Sequence, residues 1–267
     1  QISLRNIQAI IELQKRDIMV VVATGRNYPE AVSPLEQAGL ILPNICINGA
    51  EVRSKHGRVL SSIYIEKNTI TKIIDILEEH NLYFELFIDD CVYTEDVEKQ
   101  IGMFIKVGKA SHPNPPVDKI RTAVMERVKR GHVKQVTSYA SVLKESSHKI
   151  NKVLGICDND QKFTQTSEVL RHIDGLAISS SGEGVIEITD QYAQKGVAIE
   201  NYANRIGVSM EEVLVIGDSY NDISMMERAG ISIAMANAPN DVKDVCMFET
   251  TYCDEDGFAE AMEKLLL

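Results

Sequence analysis

Apolar runs alternate with helix-like patterns over the first part of the chain. Ser3 can cap a helix whose apolar residues recur at helical spacing. The run IMVVVA at 18–23 is apolar throughout, which predicts a strand buried on both faces, as in a parallel sheet. A helix at 28–39, a second buried strand at 44–50 and a hairpin at 51–62 follow. This alternation is typical of an α/β domain.

The pattern between residues 64 and 182 is different, with mixed helices and antiparallel strands. The predicted elements are a helix at 68–80, an alternating, aromatic-rich antiparallel pair at 82–96, a proline-rich loop at 111–118, strands at 151–158 and 175–181, and a helix at 162–173. This order of elements is typical of an α+β unit.

The βα alternation returns from residue 183 onward. It comprises strands at 184–190, 213–217 and 231–235, and helices at 195–206, 222–229, 240–246 and 257–266. We therefore predict one α/β domain, formed by residues 1–63 and 183–267, which is interrupted by an α+β domain at 64–182.

Composition narrows the classes of partner. The 267 residues carry a net charge of −11, with 28 Lys and Arg against 39 Asp and Glu, which argues against a nucleic-acid partner. No apolar run is long enough to cross a membrane, so we expect no membrane partner. The five cysteines form no CxxC pair, and we expect reduced thiols in the cytoplasm.

One apolar run ends in a cluster of carboxylate and amide groups. VLVI at 213–216 leads into Gly217 and Asp218, and Asp222 follows four residues later. Ligands bind at the carboxyl ends of the strands in an open parallel sheet, and Mg²⁺ takes one or two protein carboxylates there. Asp218 suits a metal ligand, and the Asn221 amide can donate to an anion. Asp222 has two interpretations: an acid that suits the dipole of a first helical turn, or part of the metal site.

Lys195 and the pair Thr24 and Gly25 follow two other predicted strands. Lys195 opens a helix, where its charge is unfavourable by about 0.3–1 kcal/mol unless an anion binds nearby. A solvated surface lysine is the alternative. We expect replacement of Lys195 to weaken anion binding without lowering the stability of the unliganded protein. Thr24 offers a hydroxyl, and Gly25 a backbone N–H that a ligand can approach closely. Together these groups predict a site for a phosphate with Mg²⁺.

These motifs resemble those of the haloacid dehalogenase (HAD) superfamily, in particular the Cof-type class IIB phosphatases. ATGR at 23–26 resembles the second motif, QKGVAIE at 194–200 the third and GDSYNDISMM at 217–226 the fourth, while INGA at 47–50 and AMANA at 234–238 match the subclass. The resemblance covers nearly the whole chain. It implies an α/β fold with a Rossmann-like parallel-sheet core, and residues 64–182 as an inserted α+β cap domain.

The resemblance also implies a role for each candidate residue. The implied roles are catalysis for Lys195, Thr24 and Asp222, phosphate binding for Thr24, Gly25, Lys195 and Asn221, and the metal site for Asp218 and Asp222. The implied activity is Mg²⁺-dependent hydrolysis of a small phosphorylated metabolite by a monomer or homodimer. Sugar phosphates, pyridoxal phosphate and nucleotide-derived phosphates are the substrate classes it suggests.

The family's first motif, two aspartates separated by one residue and followed by Gly-Thr, is not found in Gln1–Leu267. In the family, the first aspartate is the nucleophile that forms an aspartyl-phosphate, and the second is the general acid and base. The resemblance places this motif on an upstream strand between the apolar runs at 18–23 and 213–217. We expect such a strand because both runs need pairing partners on each side.

Two other classes of protein are alternatives. A chain without the nucleophile could bind a phosphorylated metabolite without hydrolysing it. Two aspartates separated by one residue in the natural upstream sequence would instead indicate an enzyme. A flavodoxin-like receiver domain would need an acidic phosphoacceptor on a much shorter unit, and it offers no reason for residues 64–182.

Overall fold

The computed structural model describes residues 2–111, 115–145 and 147–266. The proline-rich loop predicted at 111–118 includes residues 112–114, which lie outside these ranges. The chain divides after Ser62 and after Gln191 into two compact units. We call residues 1–62 with 192–267 the core unit, and residues 63–191 the inserted unit. No helix within the described ranges is both long and apolar enough to span a membrane.

The predicted helices and strands occur in the predicted order, and the structure adds elements at 97–111, 117–129, 133–135, 139–144 and 248–249. The α-helices are α1 (Leu4–Lys15), α2 (Tyr28–Gln37), α3 (Lys67–Glu79), α4 (Val97–Ser111), α5 (Val117–Lys129), α6 (Tyr139–Lys144), α7 (Asp160–Arg171), α8 (Lys195–Ile206), α9 (Ile223–Met226), α10 (Asn240–Lys243) and α11 (Gly257–Leu265). The strands are β1 (Val22–Ala23), β2 (Asn44–Cys46), β3 (Glu51–Arg53), β4 (Val59–Ser62), β5 (Tyr83–Ile88), β6 (Cys91–Thr94), β7 (Val133–Gln135), β8 (Ile150–Ile156), β9 (Leu176–Ser179), β10 (Val185–Asp190), β11 (Leu214–Gly217), β12 (Ile231–Ala234) and β13 (Phe248–Glu249).

Several helices of the core unit begin and end at residues suited to caps. Ser3 caps α1, as predicted, by accepting a hydrogen bond from the Asn6 N–H. Asn27 caps α2 in the same way through the Glu30 N–H. The helix α8 ends at Gly207 in the left-handed conformation. These caps satisfy backbone groups that a helix terminus leaves without an internal partner.

The described residues of the core unit form two sheets. In the first, of order β1-β2-β3-β4, the pair β1 and β2 is parallel and the other pairs are antiparallel. In the second, of order β11-β12-β13, both pairs are parallel. Parallel strands joined through helices are the defining feature of the α/β class, so the predicted fold class is confirmed.

The strands β1 and β11 each lie at the end of their sheet, and within the described ranges no strand pairs with their outer edges. Only Val22–Ala23 of the strand predicted at 18–23 forms a ladder. Val20 and Ile216 are apolar but only partly buried, and both pack against the apolar cluster that contains Leu13. The outer edges of both strands therefore leave backbone N–H and C=O groups without a ladder partner among the described residues.

The inserted unit is built on one six-stranded sheet of order β7-β6-β5-β8-β10-β9. Its pairs are antiparallel except for β6 with β7. On one face, Ile70 of α3 and Leu170 of α7 pack with Leu86. On the other face, Ile101 of α4 and Val124 of α5 form a second apolar cluster. Helices therefore cover both faces of this sheet.

The strand predicted at 184–190 belongs to the inserted unit, which corrects its assignment to the α/β domain. It pairs antiparallel with β8 and β9. Its Glu187 is buried and accepts a hydrogen bond from Lys152 Nζ of β8 at 3.0 Å, so the charge is compensated inside this sheet. The helix that begins at Lys195 therefore does not follow a strand of the core unit.

A second buried carboxylate, Glu85 of β5, lies on the face covered by α4 and α5. Its Oε1 accepts hydrogen bonds from the Tyr83 hydroxyl at 2.9 Å and from the Gln100 amide at 2.7 Å. Burial raises the pKa of Glu85, and the charges of Arg127 and Lys152 offset this only in part. The inserted unit therefore contains a titratable group whose protonation is linked to folding.

Candidate active site

The turn after β11 is fixed by one carboxylate. Asp222 Oδ2 accepts hydrogen bonds from the backbone N–H groups of Asp218 and Ser219, each at 3.0 Å. Asp222 is buried against Gly217, where an added Cβ atom would lie 2.6 Å from the Asp222 carboxyl carbon. Asp222 thus holds the backbone on which Asp218 stands. This arrangement favours a supporting role for Asp222 over direct contact with a metal.

Lys195, the first residue of α8, is buried, with only 6% of its surface exposed. Its Nζ donates to Asp222 Oδ1 at 2.6 Å and to Asn221 Oδ1 at 3.3 Å. The interpretation of Lys195 as a solvated surface residue is therefore wrong. The same contact argues against the expectation that replacing Lys195 would leave stability unchanged, because Asp222 would lose its buried counter-charge.

The first turn of α8 is in direct contact with α9. The Gly196 N–H donates to Ser224 Oγ at 3.1 Å. An added Cβ atom at position 196 would lie 1.9 Å from the Ser224 carbonyl oxygen, so any larger residue would push the two helices apart. This close approach brings Lys195 within hydrogen-bonding distance of Asp222.

Asn48 joins the same cluster from the end of β2. Asn48 is only 3% exposed, and its backbone is in the left-handed conformation, with φ 57°, inside the 3-10 turn Ile47–Gly49. Its Oδ1 accepts a hydrogen bond from Asn221 Nδ2 at 3.3 Å. Such a conformation costs a non-glycine residue on the order of 1–3 kcal/mol, so it persists only where surrounding contacts hold it. The strand predicted at 44–50 therefore ends at Cys46, and Asn48 was not among the predicted site residues, although an Asn-Gly pair directly after a buried strand was an available signal.

Thr24 is connected to Asn48 through the backbone. The Thr24 carbonyl accepts the Asn48 N–H at 3.0 Å, and the Thr24 N–H donates to the Ile45 carbonyl at 2.8 Å. The Thr24 hydroxyl accepts the Arg26 N–H at 3.2 Å and keeps its own proton available for another acceptor. Thr24 and Gly25 are partly exposed at the carboxyl end of β1. The predicted motifs are therefore linked by one series of hydrogen bonds, from Thr24 through Asn48 to Asn221.

Asn237, at the end of β12, extends this series to Asp218. Its Nδ2 donates to Asp218 Oδ2 at 2.7 Å, and its Oδ1 accepts the Cys253 N–H at 3.2 Å. The AMANA motif contained this residue, but its sequence position alone gave no reason to connect it with Asp218. The parallel register, which pairs Gly217 with Ala234, brings the two strand ends together.

The donor set at the end of β11 fits Mg²⁺. Asp218 is partly buried, one of its carboxylate oxygens is held by Asn237, and the other has no hydrogen-bond partner among the described residues. Nowhere among the described residues do three or more His, Cys, Asp or Glu side chains come together as a group that could hold a metal ion. Mg²⁺ does not need such a group, because it usually keeps several waters and takes one or two carboxylates with substrate oxygens.

A sequence profile of the haloacid dehalogenase-like hydrolases matches residues 1–262. The chain belongs to this family. Among its HAD relatives, a 5-amino-6-(5-phospho-D-ribitylamino)uracil phosphatase of Bacillus subtilis is 32% identical over 266 residues, with 99% of this chain and 92% of the relative covered. A pyridoxal phosphate phosphatase of Escherichia coli is 27% identical over 243 residues, with 89% and 82% covered.

The fold also agrees with that of a solved HAD structure. A haloacid dehalogenase-like hydrolase from B. subtilis matches with a TM-score of 0.90 and 28% identity, over 100% of this chain and 94% of that one. The family and the fold class predicted from the motifs are thus confirmed, and the chain is a phosphatase by resemblance to its named HAD relatives. The roles of the individual site residues stay predictions.

Proposed function

We propose that this HAD hydrolase is a Mg²⁺-dependent phosphatase of small phosphorylated metabolites. The observation that supports it most strongly is the buried contact of Lys195 with Asp222 and Asn221. A lysine at the start of a helix adds its charge to the positive end of the helix dipole, and a phosphate group near both would be strongly stabilised. Asp222 holds the ammonium group in that position.

The phosphoryl oxygens are assigned to Thr24, Gly25, Asn221 and Lys195. The Thr24 hydroxyl and the Gly25 N–H act as donors from the end of β1. The Asn221 amide and the Lys195 ammonium group act as donors from the other end of the hydrogen-bond series that starts at Thr24. In phosphoryl transfer, charge on the equatorial oxygens is stabilised chiefly by such fixed donors. Removal of any one donor should therefore lower turnover more than it lowers substrate affinity.

Asp218 is the residue that would bind Mg²⁺ in this proposal, and Asp222 would support it through the backbone of the turn. Bound Mg²⁺ supplies additional neutralisation of the charge on the phosphoryl oxygens. Asn237 holds the second carboxylate oxygen of Asp218.

We assign the nucleophile to an aspartate of the family's first motif, on a strand that pairs with the outer edges of β1 and β11. The outer edges of β1 and β11, which pair with no strand among the described residues, and the partly buried Val20 and Ile216 support this assignment. The aspartate oxygen forms a bond to phosphorus while the bond from phosphorus to the substrate alcohol oxygen breaks, and the second aspartate of the motif gives that oxygen its proton. Water, deprotonated by the same second aspartate, then releases inorganic phosphate from the aspartyl-phosphate.

The substrate is a monoester of a small polar metabolite. The relatives named for hydrolysis of a ribityl phosphate and of pyridoxal phosphate support this class, which also includes sugar phosphates. The inserted unit is the cap domain in this proposal, and it selects the leaving group. In this proposal the protein works in a reducing cytoplasm, where its five cysteines stay as thiols. A monomeric or homodimeric state stays a prediction.

Phosphate release by the full-length natural protein tests the proposal. Wild type should hydrolyse pyridoxal phosphate or the ribityl phosphate with Mg²⁺ and lose activity with a chelator. Asp218→Asn should lower turnover about 100-fold or more, since losing one charge-stabilising group at a transition state commonly costs 10²–10³. Asp241→Asn, an exposed acid in the first turn of α10, is the matched control and should keep wild-type turnover. Substrate binding without phosphate release by the wild type would instead favour a non-catalytic binding protein.

A further inference from the structure

The Asn237 side chain is oriented by two partners of opposite kind. Its Oδ1 accepts the Cys253 N–H at 3.2 Å, and its Nδ2 donates to Asp218 Oδ2 at 2.7 Å. Rotation of the amide by half a turn would bring its oxygen against the carboxylate and its NH₂ group against an N–H donor. Both contacts would then be repulsive, so the amide is locked in one orientation.

The backbone around Asn237 is fixed as well. The Met235 N–H donates to the Gly217 carbonyl at 2.9 Å, and the Ala236 N–H donates to the Thr251 carbonyl at 3.2 Å. These bonds connect the end of β12 both to β11 and to the loop that contains Cys253. Although Asn237 is exposed, its position relative to Asp218 is therefore set by main-chain contacts on two sides.

We propose that Asn237 is a positioning residue that limits Asp218 to one metal-binding oxygen, and so sets the preference of the site for Mg²⁺ over Ca²⁺. This inference rests on the proposed function, in which Asp218 binds the metal. The Asn237 amide takes one of the two lone pairs of Oδ2 and fixes the plane of the carboxylate, whereas Oδ1 keeps both lone pairs for an ion. The carboxylate is thereby biased toward the monodentate arrangement.

Metal chemistry connects this arrangement with selectivity. Mg²⁺ demands near-octahedral geometry with short bonds and usually takes a carboxylate through one oxygen, whereas Ca²⁺ accepts six to eight ligands and bidentate carboxylates. Release of Oδ2 would let Asp218 rotate and offer both oxygens. The site would then lose the preorganisation that favours Mg²⁺ and gain a ligand that Ca²⁺ can use.

Titration calorimetry of the full-length protein with MgCl₂ and with CaCl₂, without substrate, tests this inference. Asn237→Ala should weaken Mg²⁺ binding about tenfold, the lower end of the 10–100-fold effect typical of residues that orient a metal ligand. Ca²⁺ affinity should change less than about threefold, so the ratio of the two affinities shifts toward Ca²⁺. Asn237→Leu, which has a similar shape and no donor, should behave in the same way.

Controls separate this effect from misfolding and from failure of the proposed function. Asn68→Ala removes another exposed amide that donates to a carboxylate, that of Glu66 at 3.3 Å, and should leave both metal affinities unchanged. Thermal unfolding without metal should show Asn237→Ala folded. Unchanged affinities, or an equal loss for Mg²⁺ and Ca²⁺, would overturn the inference. No Mg²⁺ binding by the wild type would refute the metal site itself, and the inference with it.

Discussion

Removing the charge of Lys195 probes the central contact of the candidate site. Lys195→Met keeps an unbranched side chain and loses the ammonium group, whereas Asp222→Asn keeps the side-chain shape and loses the carboxylate charge. In the folded protein, Nζ and Oδ1 are 2.6 Å apart, and the two side chains are only 7% and 5% exposed. Solvent therefore screens this pair very little, and both single variants should be destabilised.

The expected magnitude follows from the contacts that survive each change. Removing one partner of a buried ion pair costs about 3–5 kcal/mol, because the other charge stays buried without compensation. Asp222 Oδ2 keeps its two backbone donors in Lys195→Met, so we expect the lower end, about 3 kcal/mol. At about 2–4 °C per kcal/mol, the melting temperature should fall by about 6–12 °C. The double variant leaves neither charge of this pair. Its loss of unfolding free energy should therefore be about 1–3 kcal/mol smaller than the sum of the losses in the two single variants.

Thermal and urea unfolding of the wild type, both single variants and the double variant measure this coupling, in the absence of phosphate. Lys15→Met is the matched control, because Lys15 pairs with Glu12 at 3.3 Å on the surface, with side chains 67% and 42% exposed. It should change the unfolding free energy by less than about 1 kcal/mol. Single effects that add to the double effect within about 0.5 kcal/mol would refute the coupling.

Two further predictions concern packing and protonation. Gly196→Ala should lower melting temperature and turnover together, because the added Cβ would lie 1.9 Å from the Ser224 carbonyl oxygen and overpacking costs about 1–3 kcal/mol. Gly102→Ala in α4 is the control, because no heavy atom lies within 4 Å of the added Cβ, and it should instead stabilise the folded protein by about 0.5–1 kcal/mol. Equal melting temperatures for Gly196→Ala and Gly102→Ala would contradict the packing argument. Burial raises the pKa of Glu85, so its contribution to stability is present below the ordinary glutamate pKa and is lost as pH rises through the raised value. Urea unfolding across a pH series should show the wild type losing stability relative to Glu85→Gln as pH rises. The comparison of the wild type with Glu98→Gln is the control and should have the opposite sign, because a neighbouring guanidinium lowers the pKa of Glu98. A stability difference between the wild type and Glu85→Gln that does not change with pH would disprove the linkage.

The sequence located the polar turns of the site but not all of their contacts. Thr24 and Asp218 could be predicted as site residues because they follow apolar strands, and the carboxyl ends of parallel strands meet at one edge of a sheet. The contact of Lys195 with Asp222 could not be predicted in the same way. It depends on how closely α8 approaches α9, and local periodicity carries no information about that distance.

The wrong assignment of the strand at 184–190 to the α/β domain has a different physical origin. The alternation in VIEITD predicts a strand, but it does not say which sheet the strand joins. The pairing is decided by contacts with β8, including the hydrogen bond from Lys152 to Glu187, 35 residues further along the chain. A buried ion pair between distant residues leaves no periodic trace in the sequence. The strand itself was therefore predictable, while its place in the inserted unit was not.

Close backbone contact is what allows short polar side chains from different elements to meet in this site. Besides Gly25, which follows Thr24, three glycines stand next to residues of the site, namely Gly49 beside Asn48, Gly196 beside Lys195 and Gly217 beside Asp218. An added Cβ atom at these positions would lie 2.5 Å from the Gln194 carbonyl oxygen, 1.9 Å from the Ser224 carbonyl oxygen and 2.6 Å from the Asp222 carboxylate. Aspartate and asparagine side chains are short, so hydrogen bonds of about 3 Å between elements require backbones that nearly touch. A glycine beside a polar residue at a strand end therefore does more than allow a turn, because it sets the distance at which the neighbouring polar groups can bind one phosphate together.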